Sequence, residues 1–434
     1  MGDQGVGHGK SHAGTLPQRV KDVVRKLWAG NVSERPMTPL STGSAREWTP
    51  MHSRRAALSV MALLTMGAAS CTSTNAAMPT AQSSAHAFLR SFDTVSRVAS
   101  TVPDNGDVNP YGVAIVPTTI GRLVAGDTLV SNFNDRANVQ GTGTTIVQIT
   151  PQGSVQLFSQ ISHLPSGLSC PGGVGLDTAL AILPGGWVVV GSLPTASGGA
   201  LPDTDPAGCL IILDPQGAPV ETFRNKNLVG PWGMTVTSTP TAATVFVANA
   251  LGGEASINTG PPVVTVSTVV RFRLSLSSGR PPALVNATIV GTGFPWIANQ
   301  AALVLGPTGL ALGRKGTLYV DDTQRNTISA IADAMTRTDA VSYGSSIISS
   351  GGALNAPLGM ALAPNGDLLV MNGNDGNAVE VTPAGSQIDT TTLIRNGSGD
   401  LFGLAVASHG GGIEFGNDGA NVLDLFHAAA GAAT

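Results

Sequence analysis

Residues 357–381 read PLGMALAPNGDLLVMNGNDGNAVEV, and this stretch contains the pattern that decides the fold. A Pro-x-Gly opening leads into a short apolar run, and a turn of Pro, Asn and Gly follows. A second apolar run ends at Asn372, and a third ends at Val381. Short apolar runs that are rich in β-branched residues and bounded by turn residues are typical of β-strands.

The same unit recurs along the chain after residue 105. Six openings are recognisable, and their glycines are Gly112, Gly175, Gly233, Gly309, Gly359 and Gly403. The spacing of these glycines is expected when four-stranded units of about 40 to 50 residues carry loop insertions. No unit contains a helix-length stretch with a period of 3.6 residues, so the pattern excludes a helical solenoid.

The two ends of the repeat region complement each other. The sixth unit stops after its third strand, near Phe426, whereas Phe92–Val98 reads as a strand that precedes the first unit and has no partner there. In a closed ring, the N-terminal strand would serve as the missing outer strand of the sixth unit. This pairing would cover the open edge of that unit and give the N-terminal strand a partner. The sequence therefore predicts an all-β fold, a six-bladed β-propeller over residues 88–427 that is closed by an N-terminal strand.

The composition agrees with such a fold and disfavours some partners. Of the 434 residues, 12% are charged and 4% aromatic, and there are 55 Gly and 28 Pro, as in a turn-rich β protein. The chain after Cys71 has 14 Lys and Arg against 23 Asp and Glu. This negative surface disfavours nucleic acid, and it makes anionic lipid headgroups poor partners.

The N-terminal part predicts export. Met51–Arg55 supplies a basic start, and Ala56–Ala69 supplies an apolar run that is too short to span a bilayer. The end of this run, Ala68-Ala69-Ser70-Cys71, resembles a bacterial lipoprotein box, which makes Cys71 the predicted lipidation site. Ordinary cleavage after Ala69 is the alternative. We expect residues 1–50 to be a non-native or disordered extension, 51–71 a signal peptide, 72–87 a linker and 428–434 a tail.

Three cysteines are present, and Cys170 and Cys209 form an even pair if Cys71 carries the lipid. In an oxidising compartment we predict a disulfide between them, with the two Cα atoms less than about 7 Å apart. The alternative is two buried free thiols.

The repeat resembles a known family, the six-bladed β-propellers of the NHL-repeat and senescence-marker/gluconolactonase-like group. The resemblance covers about residues 88–427. It is carried by the Pro-x-Gly openings, by the turn Ala363–Leu368 and by the Val370-Met371-Asn372 strand end. The lactonase members of this family hold a divalent metal with a carboxylate near the start of the first blade. Here the opening Asn109–Gly112 contains no Glu, and the closest acidic residue is Asp107.

Polar residues recur where the second strand of a unit ends, and ring closure would bring them around one mouth of a central channel. They are Asn132, Asn249, Asp322, Asn372 and Asn417. Oxygen ligands of this kind suit Ca²⁺ or Mg²⁺, so this set is the candidate metal site. The alternative is that each residue makes a turn with its own backbone. No other cofactor is expected.

The sequence favours a binding or scaffolding module over an enzyme, and it shows no catalytic constellation. We expect an exported and lipid-anchored monomer of the bacterial cell envelope, periplasmic or attached to the outer membrane, or otherwise secreted. Its partner would be an envelope protein or a small ligand at a channel mouth, and it would meet the membrane only through the lipid. The alternative function is a divalent-metal lactonase or hydrolase of the same fold.

Overall fold

The structure, a computed structural model, describes residues 87–175, 180–193, 208–251, 264–299 and 303–429. Within these ranges the regular secondary structure is almost entirely β-strand, with short 3₁₀ helices at Phe88–Ser91, Tyr343–Ser345 and Ser408–Gly410. No helix in the described ranges is long and apolar enough to cross a membrane. The predicted extension 1–50 and signal peptide 51–71 lie outside the described residues, as do most of the linker and tail.

The strands form six sheets, and each sheet is one blade. The first strand of the chain is β1 (Thr94–Ser100). Blade 1 comprises β2 (Val108–Ile115), β3 (Thr128–Asn134), β4 (Thr145–Ile149) and β5 (Val155–Gln160). Blade 2 comprises β6 (Leu180–Leu183), β7 (Trp187–Ser192), β8 (Cys209–Leu213) and β9 (Pro219–Phe223). Blade 3 comprises β10 (Pro231–Thr239), β11 (Ala242–Asn249), β12 (Val264–Ser277), β13 (Arg280–Asn299) and β14 (Leu303–Leu305).

The second half of the ring repeats this order. Blade 4 comprises β15 (Pro307–Leu312), β16 (Leu318–Asp322), β17 (Thr327–Ile331) and β19 (Ile347–Ser350), and the intervening β18 (Val341–Ser342) pairs with β13. Blade 5 comprises β20 (Pro357–Leu362), β21 (Leu368–Asn372), β22 (Asn377–Val381) and β23 (Gln387–Thr392). Blade 6 comprises β24 (Leu401–Val406), β25 (Ile413–Asn417) and β26 (Val422–His427), with β1 as its fourth strand.

The closure predicted from the two chain ends is confirmed. Strand β1 pairs antiparallel with β26, so that Thr94 lies opposite His427 and Ser100 lies opposite Val422. The strand begins two residues later than predicted because Phe92 ends the preceding 3₁₀ helix. The Phe92 ring packs edge-on against Phe88 and Phe426, with centroid distances of 4.9 and 5.7 Å.

The core is divided among the blade interfaces. Each pair of neighbouring blades encloses one cluster of buried apolar side chains, and a seventh cluster lies where the inner strands begin. Between blades 2 and 3, for example, Val189 and Leu210 pack with Val245 and Phe272. Small β-branched and aliphatic residues suit these narrow interfaces, which explains how a chain with few aromatic residues fills its core.

Blade 3 departs from the repeat. Its strands β12 and β13 are 14 and 20 residues long, and β13 continues into a short hairpin with β14, in which Ile297 pairs with Leu305. This insertion accounts for the long interval between Gly233 and Gly309. Side chains of the extension, including Trp296 and Val304, join the seventh apolar cluster.

Candidate functional site

The first strand of each blade is the innermost, and each inner strand contacts those of both neighbouring blades, which closes the ring. The inner strands are β2, β6, β10, β15, β20 and β24. Five of them show a register shift at the opening sequence, for example between Pro110 and Val113 and between Pro231 and Met234. The bulge turns the residue before each opening glycine toward the centre of the ring.

Large side chains at this position close one end of the channel. Tyr111, Trp232, Leu358 and Phe402 are all buried there and pack together with Phe133, and we call these five residues the plug. The Tyr111 ring lies 5.5 Å from that of Trp232 and 5.1 Å from that of Phe402, between centroids. The indole Nε1 of Trp232 donates a hydrogen bond to the Tyr111 hydroxyl. Burial raises the pKa of Tyr111, so this hydroxyl stays protonated.

The glycine of each opening lets neighbouring inner strands touch. A Cβ at Gly233 would overlap the carbonyl oxygen of Thr308 in the next blade. A Cβ at Gly359 would overlap the Phe402 carbonyl, and one at Gly403 would overlap the Tyr111 carbonyl. The recurrence of glycine in the repeat therefore follows from backbone contact between blades.

A buried carboxyl lies beside the plug in blade 4. Asp321 Oδ1 accepts hydrogen bonds from the Thr308 hydroxyl and from the Gly309 amide, both at 2.6 Å. In blades 1 and 2, Ser131 and Ser192 meet the corresponding glycine amides instead. Burial raises the pKa of Asp321 to about 6, although the hydrogen bonds from Thr308 and Gly309 act to lower it. The sequence pointed to Asp322, but the carboxyl that packs against the inner strand is Asp321.

The opposite end of the channel is an open cavity of about 620 Å³. All six inner strands contribute to its wall, mostly with small or aliphatic side chains. One residue from each blade is Ala114, Ala181, Val236, Ala311, Ala361 and Leu404. The rim includes Pro117 and Arg314 in the turns that follow the inner strands, and Arg314 is the one charged side chain among the described lining residues. We call this end, with the turns between first and second strands, the turn face, and the other end the plug face.

The strand-end asparagines connect each blade to the linker that enters it. The Asn249 amide donates to the Asn227 carbonyl at 3.0 Å, and its oxygen accepts from the Gly230 amide at 3.4 Å. Asn372 likewise donates to the Ala353 carbonyl at 2.7 Å and accepts from the Asn355 amide at 3.1 Å. These oxygens are thus occupied by backbone amides.

The other three predicted ligands also have local partners. Asn132 donates to the Thr101 carbonyl at 2.8 Å, again a linker contact. Asp322 Oδ1 accepts from the Arg325 amide at 2.9 Å, which is a turn, and burial raises the pKa of Asp322. Asn417 donates to Asp424 at 2.7 Å within its own blade.

Most of the five residues use one oxygen for a local contact, and the divalent-metal site stays a prediction. Ca²⁺ takes six to eight oxygen ligands, and Mg²⁺ requires near-octahedral geometry. Four of the five side chains already accept a backbone amide at one oxygen. Within the described ranges, no three His, Cys, Asp or Glu side chains form a group that could hold a metal.

Cys170 and Cys209 are linked as a disulfide, with their Cα atoms 5.4 Å apart. The bridge joins the linker between blades 1 and 2 to β8, and Cys209 is fully buried in the interface between these blades. Cys71 lies outside the described residues.

The sequence matches no protein-family model and no curated protein. Several solved structures are similar at low identity. A gluconolactonase from Xanthomonas campestris is 13% identical, with 75% of this chain and 88% of that chain covered and a TM-score of 0.43. Regucalcin, a calcium-binding protein from Agrobacterium tumefaciens, is 10% identical, with 77% and 96% covered and a TM-score of 0.45. Virginiamycin B lyase from Staphylococcus aureus is 13% identical, with 78% and 89% covered and a TM-score of 0.42. At these values no residue's role is transferred from them.

Proposed function

We propose that the chain is an exported β-propeller of the bacterial cell envelope that binds a small, mostly aliphatic ligand in the channel cavity. The cavity itself carries the proposal. Its volume of about 620 Å³ lies within the range of about 300 to 1,000 Å³ typical of small-molecule sites. Apolar walls with a few polar groups near the opening are also typical of such sites.

The channel itself is closed by the plug at its other end. Tyr111 and Trp232 are 3% and 2% exposed and hydrogen-bond to each other, and Asp321 is fully buried. A ligand entering there would have to displace packed aromatic rings. The turn face is therefore the side on which we place the binding site.

The cellular setting is part of the same proposal. The predicted signal segment and Cys71 support export and a lipid anchor in the periplasm or on the outer membrane, with plain secretion as the alternative. The negative charge after Cys71 supports a protein that avoids nucleic acid. An envelope protein that carries the ligand remains a candidate partner.

The binding site can be tested by substitutions that place a large side chain in the cavity. Ala361 lines the cavity in blade 5 and Thr235 lines it in blade 3. Purified protein should enhance the fluorescence of anilinonaphthalene sulfonate, an apolar anion, in a saturable manner. Ala361→Trp and Thr235→Trp should each abolish the saturable signal because the indole would occupy the site.

The matched control is Ala137→Trp, since Ala137 is exposed in a loop on the plug face. It should bind the probe like the wild type. Melting temperatures of all three variants identify any that fail to fold. Saturable binding that persists in both folded cavity variants would contradict the proposal.

A divalent-metal lactonase or hydrolase, implied by the family resemblance, is the second candidate. One observation favours it: Thr101 Oγ1, Asn109 Oδ1 and Asn132 Oδ1 are buried without hydrogen-bond partners among the described residues. The adjacent Asp107 accepts hydrogen bonds from Thr144 and Thr145 at one carboxylate oxygen, Oδ2. Stoichiometric Ca²⁺ or Mg²⁺ in the purified protein, with metal-dependent hydrolysis of a lactone, would favour this function over ligand binding.

A further inference from the structure

The N-terminal segment at Phe88 and Leu89 is hydrogen-bonded to the turn face of the propeller. The amides of Phe88 and Leu89 donate to the two carboxylate oxygens of Glu380 at 2.8 and 2.9 Å. Asn365, in the turn between β20 and β21, donates to the same carboxylate at 2.8 Å. Glu380 is completely buried by these contacts. The position at which the chain enters the propeller is therefore fixed.

This entry point adjoins the rim of the cavity. The Arg314 guanidinium lines the cavity and donates to the carbonyl of Pro364, in the turn that also contains Asn365. A continuous series of contacts thus leads from the rim through that turn and Glu380 to Phe88. The last described residues meet the entering segment as well, because the Ala429 amide donates to Asp93 at 2.9 Å.

The turn face also exposes apolar and cationic side chains. Ile120 and Val124, in the turn region that follows the inner strand of blade 1, are 38% and 46% exposed. Arg314 and Lys315 are exposed in the corresponding turn of blade 4. Apolar side chains with neighbouring cations suit the boundary between lipid headgroups and acyl chains.

From this placement we infer that the cavity mouth faces the membrane and that its occupant is the aliphatic chain of a membrane lipid, whose headgroup lies at the rim beside Arg314. The inference rests on the proposed function, since it requires an anchor at Cys71. Phe88 lies 17 positions after Cys71, so an extended tether reaches no more than about 60 Å. Because the tether joins the propeller at Phe88, beside the mouth, the turn face is the side that lies nearest to the anchor.

Photocrosslinking of the full chain in a bacterial host tests the orientation and the occupant together. Benzoylphenylalanine is introduced separately at Thr237 in the cavity wall, at Lys315 next to the rim residue Arg314, and at Asp104, exposed on the plug face. After irradiation, intact mass measurement identifies the adducts. We expect lipid adducts at Thr237 and Lys315, none at Asp104, and loss of both adducts when Cys71→Ser is combined with either label.

Other outcomes overturn the inference. Equal lipid labelling at Lys315 and Asp104, or labelling that persists after Cys71→Ser, would reject the orientation. Adducts at Thr237 with another protein or with the chain itself would reject a lipid occupant. Melting temperatures establish that each labelled variant is folded. Failure of anilinonaphthalene sulfonate to enter the cavity would instead reject the proposed binding function, whatever the orientation.

Discussion

The same six inner strands build a sealed end and an open end of the channel. At the plug face their openings place Tyr111, Trp232, Leu358 and Phe402 against one another, and all of these residues are buried. At the turn face the strands present Ala114, Ala181, Ala311 and Ala361 around a cavity. The difference lies in side-chain size at positions only a few residues apart.

This contrast shows how a repeat can place the residues that determine stability at one end of the channel and the residues that line a binding cavity at the other. The sealed end contains a continuous apolar cluster and close backbone contacts between blades, so substitutions there should mainly alter the free energy of unfolding. The open end has space that no side chain fills, so substitutions there should mainly alter ligand affinity.

Trp232→Ala should have the largest effect because it removes a buried indole and leaves the Tyr111 hydroxyl unpaired. We expect a loss of about 3 to 5 kcal/mol in the free energy of unfolding, measured by chemical denaturation. Val236→Ala, in the cavity wall of the same strand, should cost about 1 kcal/mol or less. Similar losses in the two variants would remove the distinction between the two ends.

Asp321→Asn should change how stability depends on pH. The folded-state pKa of about 6 lies above the ordinary value of 3.8, so the folded protein binds the proton more tightly than the unfolded chain. Above pH 6, burial of this carboxyl therefore lowers the free energy of unfolding by up to about 3 kcal/mol. This loss disappears as the pH falls toward 4.

The measurement is the difference in unfolding free energy between Asp321→Asn and wild type at pH 4 and pH 7. The variant should gain relative to wild type as the pH rises. Using this difference removes the contributions of buried carboxyls that do not interact with Asp321, such as Glu414. A difference that stays constant with pH would mean that Asp321 does not titrate in this range.

Gly359→Ala should destabilise the ring by about 1 to 3 kcal/mol, because the added methyl group would overlap the Phe402 carbonyl and force the blades apart. A Cβ at Gly344 would meet nothing within 4 Å. Gly344→Ala should therefore change stability by less than about 1 kcal/mol. Thermal unfolding of the two variants compares them directly, and equal melting temperatures would contradict close contact between inner strands.

Arg314→Gln should have the smallest effect, seen only in binding. Loss of an exposed charge should weaken anilinonaphthalene sulfonate binding about two- to five-fold without lowering the melting temperature. Lys315→Gln is the control, since Lys315 is exposed but does not line the cavity. Equal losses in both variants would indicate general attraction of the anion, with no particular role for Arg314.

The repeat and its closure could be predicted from sequence because each unit carries its own local signals. Pro-x-Gly openings, β-branched runs and Asn-containing turns mark the strands, and the unpaired Phe92–Val98 segment indicated β1. The role of the strand-end residues was harder to predict. Asn249 and Asn372 hold linkers about 20 residues earlier in the chain, and the sequence does not distinguish such contacts from metal ligation.

The plug and the cavity were not predicted, although a signal was present. The residue before the opening glycine is large in four blades, at Tyr111, Trp232, Leu358 and Phe402. Alanine follows closely in several of the same strands. The sequence does not reveal the bulge at each opening. This bulge brings the large side chains together at one end of the channel and leaves the alanines around the other end.

The pairing of β1 with β26 also determines when the ring can close during synthesis of the chain. Thr94 and His427 are paired although more than 300 residues separate them, and contacts between such distant residues form slowly. If the chain crosses a membrane from its N-terminus, β1 arrives first and waits for the last strand to be synthesised and translocated. Until then blade 6 has an open edge that can recruit strands from other chains. Chaperones that hold unfinished chains would therefore be needed most between the emergence of β1 and the emergence of β26.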